Sequence, residues 1–263
     1  MISKGPGSFP GLLHFPHFGY TALFELSADH YDLLHSHKRY EREAHHLRDR
    51  LWRIEPGLQK VLDLGCGTGA HDEILSQFYE VDGLDLHTGF LERARQRNPG
   101  GHYYEADMCD FRLDRMYDAI VCLFGSIGYA QTYGRLVSAL RCCREHLTQR
   151  GVVIIEPWVE PERWHNDAIR HLHNERDGSH IVRMAHGRRH GGISVIDCHY
   201  LIGTPGEGVT HRQERHEVGL FTSEHMRQGL DEAGLALLDY DALGLASDET
   251  GRGLYIARAK ETE

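Results

Sequence analysis

Hydrophobic and polar positions fall into three regimes along the chain. Between residues 27 and 53, Leu33, Leu34, Leu47, Leu51 and Trp52 recur at helical spacing, and Ser27 or Asp29 offers an N-cap. Pro56-Gly57 ends that stretch. Short apolar runs then alternate with helical patterns. Val61-Leu62-Asp63-Leu64 predicts a strand, and Gly65-Cys66-Gly67-Thr68-Gly69 turns it into a helix reaching about Phe78. Tyr79 to Leu86 predicts a second strand, followed by a helix carrying Phe90, Leu91 and Ala94. His102 to Glu105, Tyr117 to Phe124 and Val152 to Glu156 predict three more strands, with a helix over Leu136 to Leu147. Strands this apolar are buried on both faces, which implies a parallel sheet covered by helices.

The third regime begins after Pro157. Residues 179–221 alternate apolar and polar positions, as in Ser194 to Leu201, with turns at Gly191-Gly192 and Gly203 to Gly206. That pattern predicts three antiparallel strands. Thr222 is placed to cap a helix ending near Gly234, and two last strands follow near Leu235 to Tyr240 and Leu254 to Ala257. The opening residues are interrupted by Gly5, Gly7, Pro10, Gly11 and Pro16, and lack the unbroken apolar stretch of a signal peptide. The organisation expected is an N-terminal arm over 1–26, a core over 27–157 and 222–263, and an antiparallel insertion over 158–221.

Composition narrows the function classes. A length of 263 residues suits one large domain with an insertion. A net charge of −10 and an isoelectric point near 6.1 speak against nucleic acid or an anionic membrane as partner. A mean hydropathy of −0.48, without an apolar run of about 20 residues, predicts no membrane span. The six cysteines include no C-x-x-C pair and are read as reduced thiols of a cytoplasmic protein. The 21 histidines lack an H-E-x-x-H pattern, so they are read as polar positions, with no metal site.

Strand, glycine-rich turn and helix together form the setting for a nucleotide or nucleoside cofactor. Glycines let a ligand approach the backbone, and the helix N-terminus offers free N–H groups. Asp85 ends the next strand, where a carboxylate accepts hydrogen bonds from both ribose hydroxyls. Gly65-x-Gly67-x-x-Ala70 also satisfies the dinucleotide fingerprint, so the turn alone leaves NAD and S-adenosylmethionine both open. Later features favour the second. About 60 residues precede the motif, and Ala106-Asp107-Met108 sets a carboxylate where an adenine amino group donates.

Leu62 to Gly69, with Asp85 and Ala106-Asp107-Met108, resembles the class I S-adenosylmethionine-dependent methyltransferases. Tyr31-Asp32, Tyr40-x-x-Glu43, Gly125-Ser126-Ile127-Gly128, Glu156-Pro157-Trp158, His199-Tyr200-Leu201, Leu220-Phe221-Thr222 and Gly251 to Leu254 resemble the desosamine-type nucleotide-aminosugar N,N-dimethyltransferases. The resemblance covers about residues 28–258. It implies an α/β fold with a Rossmann-like seven-stranded sheet and an antiparallel layer capping the substrate site. It also implies that Gly65, Cys66 and Gly67 line the methionine part of S-adenosylmethionine. Asp85, with Leu86 beside it, would meet the ribose, and Asp107 with Met108 the adenine. Leu123 and Phe124 would border the sulfonium, and Tyr40 would close over the methionyl end.

Two positions depart from that family. His35 stands where a tyrosine is common, and Tyr129 where a histidine is common, so two polar groups look exchanged. Methyl transfer to an amine needs alignment and desolvation more than a strong base. His35, Tyr129 and Tyr31 are therefore the orienting and proton-accepting candidates. Arg252, between glycines, is a candidate for an acceptor pyrophosphate. His186 and His199 on the antiparallel strands, and Glu156 and Trp158 at the end of the fifth strand, complete the substrate-binding set. Parity sets His199 opposite Cys198 without saying which faces inward. The expected function is methyl transfer to an amine of a small metabolite, a nucleotide-linked amino sugar of secondary metabolism. The alternatives are another amine or hydroxyl acceptor, or a protein that binds the cofactor without transfer. The expected partner is a small-molecule acceptor, and a homodimer is left open.

Overall fold

The apolar runs become neighbours in one sheet. The computed structural model describes residues 30–245 and 253–260. Two helices, α1 (Tyr31–Leu34) and α2 (Tyr40–Ile54), precede β1 (Lys60–Leu64), α3 (Ala70–Leu75), β2 (Glu80–Asp85), α4 (Thr88–Arg97), β3 (Tyr103–Glu105) and β4 (Tyr117–Cys122). A 3₁₀ turn over Ser126–Ala130 leads to α5 (Tyr133–His146) and β5 (Leu147–Ile155). Four strands follow, β6 (Ala168–Arg176), β7 (Ser179–His190), β8 (Ile193–Thr204) and β9 (Gly208–Gly219). Helix α6 (Ser223–Glu232), β10 (Leu235–Asp241) and β11 (Leu254–Ala259) close the chain.

The main sheet has seven strands in the order β10-β11-β5-β4-β1-β2-β3. Strands β1 to β5 pair in parallel, and β11 runs antiparallel to both β5 and β10. Alternation sends Val61 to one face and Leu62 to the other. Val61 packs with Ala44, Leu47 and Leu51 of α2 and Leu75 of α3. Leu62 packs with Leu136 and Leu140 of α5 and Met226 and Leu230 of α6. Both faces are dry, which is why these strands read as continuous apolar runs. Thr222 caps α6, sharing a capping box with His225, and Gly234 at φ 76° stops it. Among the described residues no helix is long and apolar enough to cross a membrane.

Two expectations change. The single helix expected over 27–53 breaks at His35, because its apolar residues serve two layers. Leu33 and Leu34 pack against Ile181, Cys198 and Tyr200 of the antiparallel sheet, whereas Leu47 and Leu51 pack on the main sheet. Trp52, counted with them, is 63% exposed. The antiparallel layer has four strands in the order β6-β7-β8-β9, not three. The missed strand is β6, joined to β7 through Asp177 and Gly178 at φ 52° and 76°. A two-residue hairpin turn demands such positive φ values, and the Asp-Gly pair was its signal.

Candidate functional site

The order of strands reverses between β1 and β4, and open α/β sheets bind ligands at such a switch, beyond the carboxyl ends of the strands. A cavity of about 500 Å³ opens there, floored by the turn after β1 and roofed by β6 to β9. A narrower pocket continues from it and shares Tyr31, Gly65, Gly67, Phe124 and Ser126 as walls.

The glycine turn is shaped by backbone geometry. Gly65, Gly67 and Gly69 have φ of 71°, 56° and 72°, values that only glycine adopts freely. A Cβ on Gly65 would stand 2.8 Å from the Cβ of Ser126, and a side chain on Gly67 would project into open space. The two oxygens of Asp85 accept the N–H groups of Gly67 and His87, each at 2.9 Å. Burial pushes the Asp85 carboxyl above the usual range, and these bonds oppose that push. Each oxygen keeps a second lone pair for a ribose hydroxyl. Leu86, Ala106 and Met108 line the same cavity. The residues present therefore fit an S-adenosyl group.

Tyr40, Cys66 and Leu123 line the narrower pocket. Asp63 also lines it, and its Oδ1 is buried without a hydrogen-bond partner among the described residues. Beside it, Glu43 is 1% exposed and accepts His71 Nε2 at 2.7 Å and Lys38 Nζ. Burial works against the charge of Glu43, but His71 and Lys38 outweigh it and hold the carboxyl at about 2. Lys38 also sits 4.2 Å from the ring centre of Phe124. Asp32 ties α1 to the glycine turn: it accepts the Thr68 hydroxyl at 2.7 Å and Arg97 Nη2 at 2.7 Å.

Phe124 follows β4 in the left-handed region, at φ 55°. Its N–H donates to Glu156 Oε2 at 2.6 Å. Its ring meets His35 edge-on at 5.3 Å, and His35 lies 4.5 Å from Tyr31. Burial, with Arg183 and His37 adding to it, lowers His35 to about 3, so its imidazole is neutral. Burial raises the hydroxyls of Tyr31, Tyr40 and Tyr129 well above the ordinary phenol value. His35 and Tyr129 line one cavity together with Tyr31, Trp158, Arg170 and Arg183.

Other expected site residues face outward or already have protein partners. His199 is exposed on the outer face of the antiparallel sheet, stacked on His211 with Nδ1 and Nε2 3.1 Å apart, while its neighbour Cys198 lines the cavity. His186 likewise alternates outward between Ala185 and Gly187 and faces Asp167 at 3.4 Å. Glu156 is buried, and its Oε2 accepts the N–H of Phe124. Asp107 accepts the N–H of Cys109 and Nη2 of Arg135, which holds its carboxyl below the usual range against the cost of burial. Arg252 and the arm 1–26 lie outside the described residues. Sequence reasoning missed Asp63, Lys38 and His71 at the cofactor end, and Arg170, Arg183 and His216 at the other. Asp63 carried a local signal, as the one charged residue in the apolar run Val61 to Leu64. The roof residues had none, because pairing across four strands brings them together.

Comparison with known proteins shows the family. Residues 61–151 match a methyltransferase domain model. The chain is 36% identical over 231 residues to a dTDP-3-amino-3,6-dideoxy-alpha-D-glucopyranose N,N-dimethyltransferase of Streptomyces fradiae, covering 87% of this chain and 89% of that one. The crystal structure of Streptomyces venezuelae DesVI superposes with a TM-score of 0.82 at 34% identity, over 88% of this chain and 98% of DesVI. CalS10 of Micromonospora echinaspora is an amino pentose methyltransferase solved with S-adenosylmethionine. It gives 0.75 at 29% identity, over 85% and 92% of the two chains.

Proposed function

The chain belongs to the class I S-adenosylmethionine-dependent methyltransferases of the dTDP-aminosugar N,N-dimethyltransferase type, and from that premise we propose that it methylates the amine of a nucleotide-linked amino sugar of natural-product biosynthesis. S-adenosylmethionine supplies an electrophilic methyl group on a sulfonium centre. The observation that carries the acceptor reading is a single cavity bordered by Asp85 and Gly67 at its floor, His35 and Tyr129 at its side, and Arg170 and Arg183 in its roof. Two guanidinium groups suit a pyrophosphate. Arg183 Nε is buried without a hydrogen-bond partner among the described residues.

In this reading Gly65, Cys66 and Gly67 line the methionine part, and Asp63 accepts its ammonium. Asp85 receives the ribose hydroxyls beside Leu86. Met108 borders the adenine, and Asp107 meets it with the lone pairs that Arg135 and Cys109 leave. Leu123 and Phe124 border the sulfonium, Tyr40 closes over the methionyl end, and Trp158 borders the sugar. The roof and α1 exclude water, which raises the reactivity of a neutral amine. Tyr31 and His35 orient that amine. A neutral imidazole held at about 3 is a weak proton acceptor, which favours an amine over a hydroxyl, since an alcohol needs a firmer base. We read the enzyme as cytoplasmic, in keeping with six free thiols.

The test is turnover, read by mass, against dTDP-linked amino sugars, the same sugars without the nucleotide, and their hydroxyl analogues. The expected result is one or two methyl groups added to the nucleotide-linked amines, with weaker turnover of the free sugars. Methylation confined to the hydroxyl analogues would replace the amine reading with the oxygen one.

A further inference from the structure

Tyr129 meets the roof through a chain of side chains. A Cβ on Gly128 would stand 2.4 Å from Val218 Cγ1, so glycine there lets the 126–130 turn close on β9. The approach brings Tyr129 Oη to 3.0 Å from His216 Nδ1. His216 Nε2 lies 3.4 Å from Oε2 of Glu214, two residues back on the same face of β9. The same Oε2 accepts the hydroxyl of Tyr200 at 3.1 Å. Glu214 is 4% exposed, and its Oε1 has no hydrogen-bond partner among the described residues. Tyr129, His216 and Tyr200 all line the acceptor cavity.

The donor and acceptor inventory fixes the direction of this chain. A carboxylate only accepts, so the imidazole turns its Nε2–H to Glu214. Nδ1 then carries the lone pair and accepts the Tyr129 hydroxyl. With its proton committed to His216, Tyr129 meets an amine N–H only as an acceptor. Burial keeps the phenol protonated, so it passes protons on without losing its own.

We propose that Tyr129, His216 and Glu214 form a proton relay that takes the proton of the acceptor's ammonium group. The proposal rests on the amine reading of the acceptor. A proton leaves the ammonium nitrogen for Tyr129 Oη as the hydroxyl proton of Tyr129 passes to His216 Nδ1. The amine becomes neutral, Tyr129 is unchanged, and one positive charge moves to the imidazole, which keeps its Nε2–H on Glu214 and now also carries a proton on Nδ1. Methylation restores a charge on nitrogen, and His216 returns its proton to solvent. His216 is the proton acceptor, and Glu214 is a positioning residue acting through it, as a carboxylate orients the histidine of a hydrolase triad.

Two measurements test the relay, and the first needs no acceptor. Nitrogen-15 NMR of the full chain, with the His216 signals identified by their loss in His216→Asn, should show one ring proton on Nε2 and an Nδ1 shift that changes in Tyr129→Phe. A proton on Nδ1, or on both nitrogens, overturns the relay whatever the acceptor is. The second is a cycle of Tyr129→Phe and His216→Asn on a turned-over amine. Each single change should lower kcat about a hundredfold with cofactor affinity kept, and the double should lose no more than either single. Glu214→Gln should lower kcat by less than either, with the acceptor KM unchanged. Additive losses would mean that His216 does not act through Tyr129. Failure of the wild type on every nucleotide-linked amine would instead sink the acceptor reading, while the NMR result still judges the relay.

Discussion

The two ends of the cavity recognise by different means. At the floor the lining is set by backbone geometry: the left-handed glycines Gly65 and Gly67 and a carboxylate clamped by two N–H groups. At the roof they come from side chains that arrive separately, His35 after α1, Tyr129 in a 3₁₀ turn, Arg183 on β7 and His216 on β9. The floor is fixed by short-range chain geometry and suits one constant ligand. The roof is fixed by the packing of separate elements, so a substitution there is expected to change what the chamber holds while the floor persists.

The sharpest way to break this comparison is at Asp85. Asp85→Ala should weaken S-adenosylmethionine binding by about 1.5–4 kcal/mol, since two ribose hydroxyls lose a charged partner. Calorimetry on the folded variant measures it, and unchanged affinity would mean that the floor does not depend on this carboxylate. A smaller effect is expected at the roof. His35→Tyr and Tyr129→His should each lower kcat, and the double variant should recover part of the loss, because residues sharing a pocket couple by roughly 0.5–3 kcal/mol. A cycle on kcat/KM with one fixed acceptor checks this, and strictly additive losses would place the two side chains in separate sites. The smallest effect belongs to the outer face. His199→Ala should leave the acceptor KM unchanged and shift stability by no more than about 0.5 kcal/mol, because the side chain is exposed and away from the cavity. A clear rise in KM would return His199 to the site.

The same division decided what the sequence could tell. Asp85 and the glycine turn are legible because the motif and its purpose lie within one strand-turn-helix unit. The inner strands β1, β2, β4 and β11 are legible because burial on both faces erases the polar alternation. Alternation on β7 and β8 is equally plain, yet it does not say which half faces in: it offers His186 and His199 as readily as Arg183 and Cys198, which line the chamber. Glu156 sits where ligand residues gather, but it spends its carboxylate on the N–H of Phe124. His216 was hidden among 21 histidines, and only the pairing of β8 with β9 and the closeness of Gly128 single it out.

Phe124 carries a tension of another kind. A left-handed φ of 55° on an aromatic residue costs on the order of 1 kcal/mol or more, and the Glu156 bond helps to hold it. Phe124→Gly would relieve that backbone and delete the ring that touches His35 and Lys38. Directed evolution for heat tolerance alone would thus be drawn to a position where thermostability and turnover select opposite residues. Any stabilised version of this enzyme should be screened with activity as a second criterion from the first round.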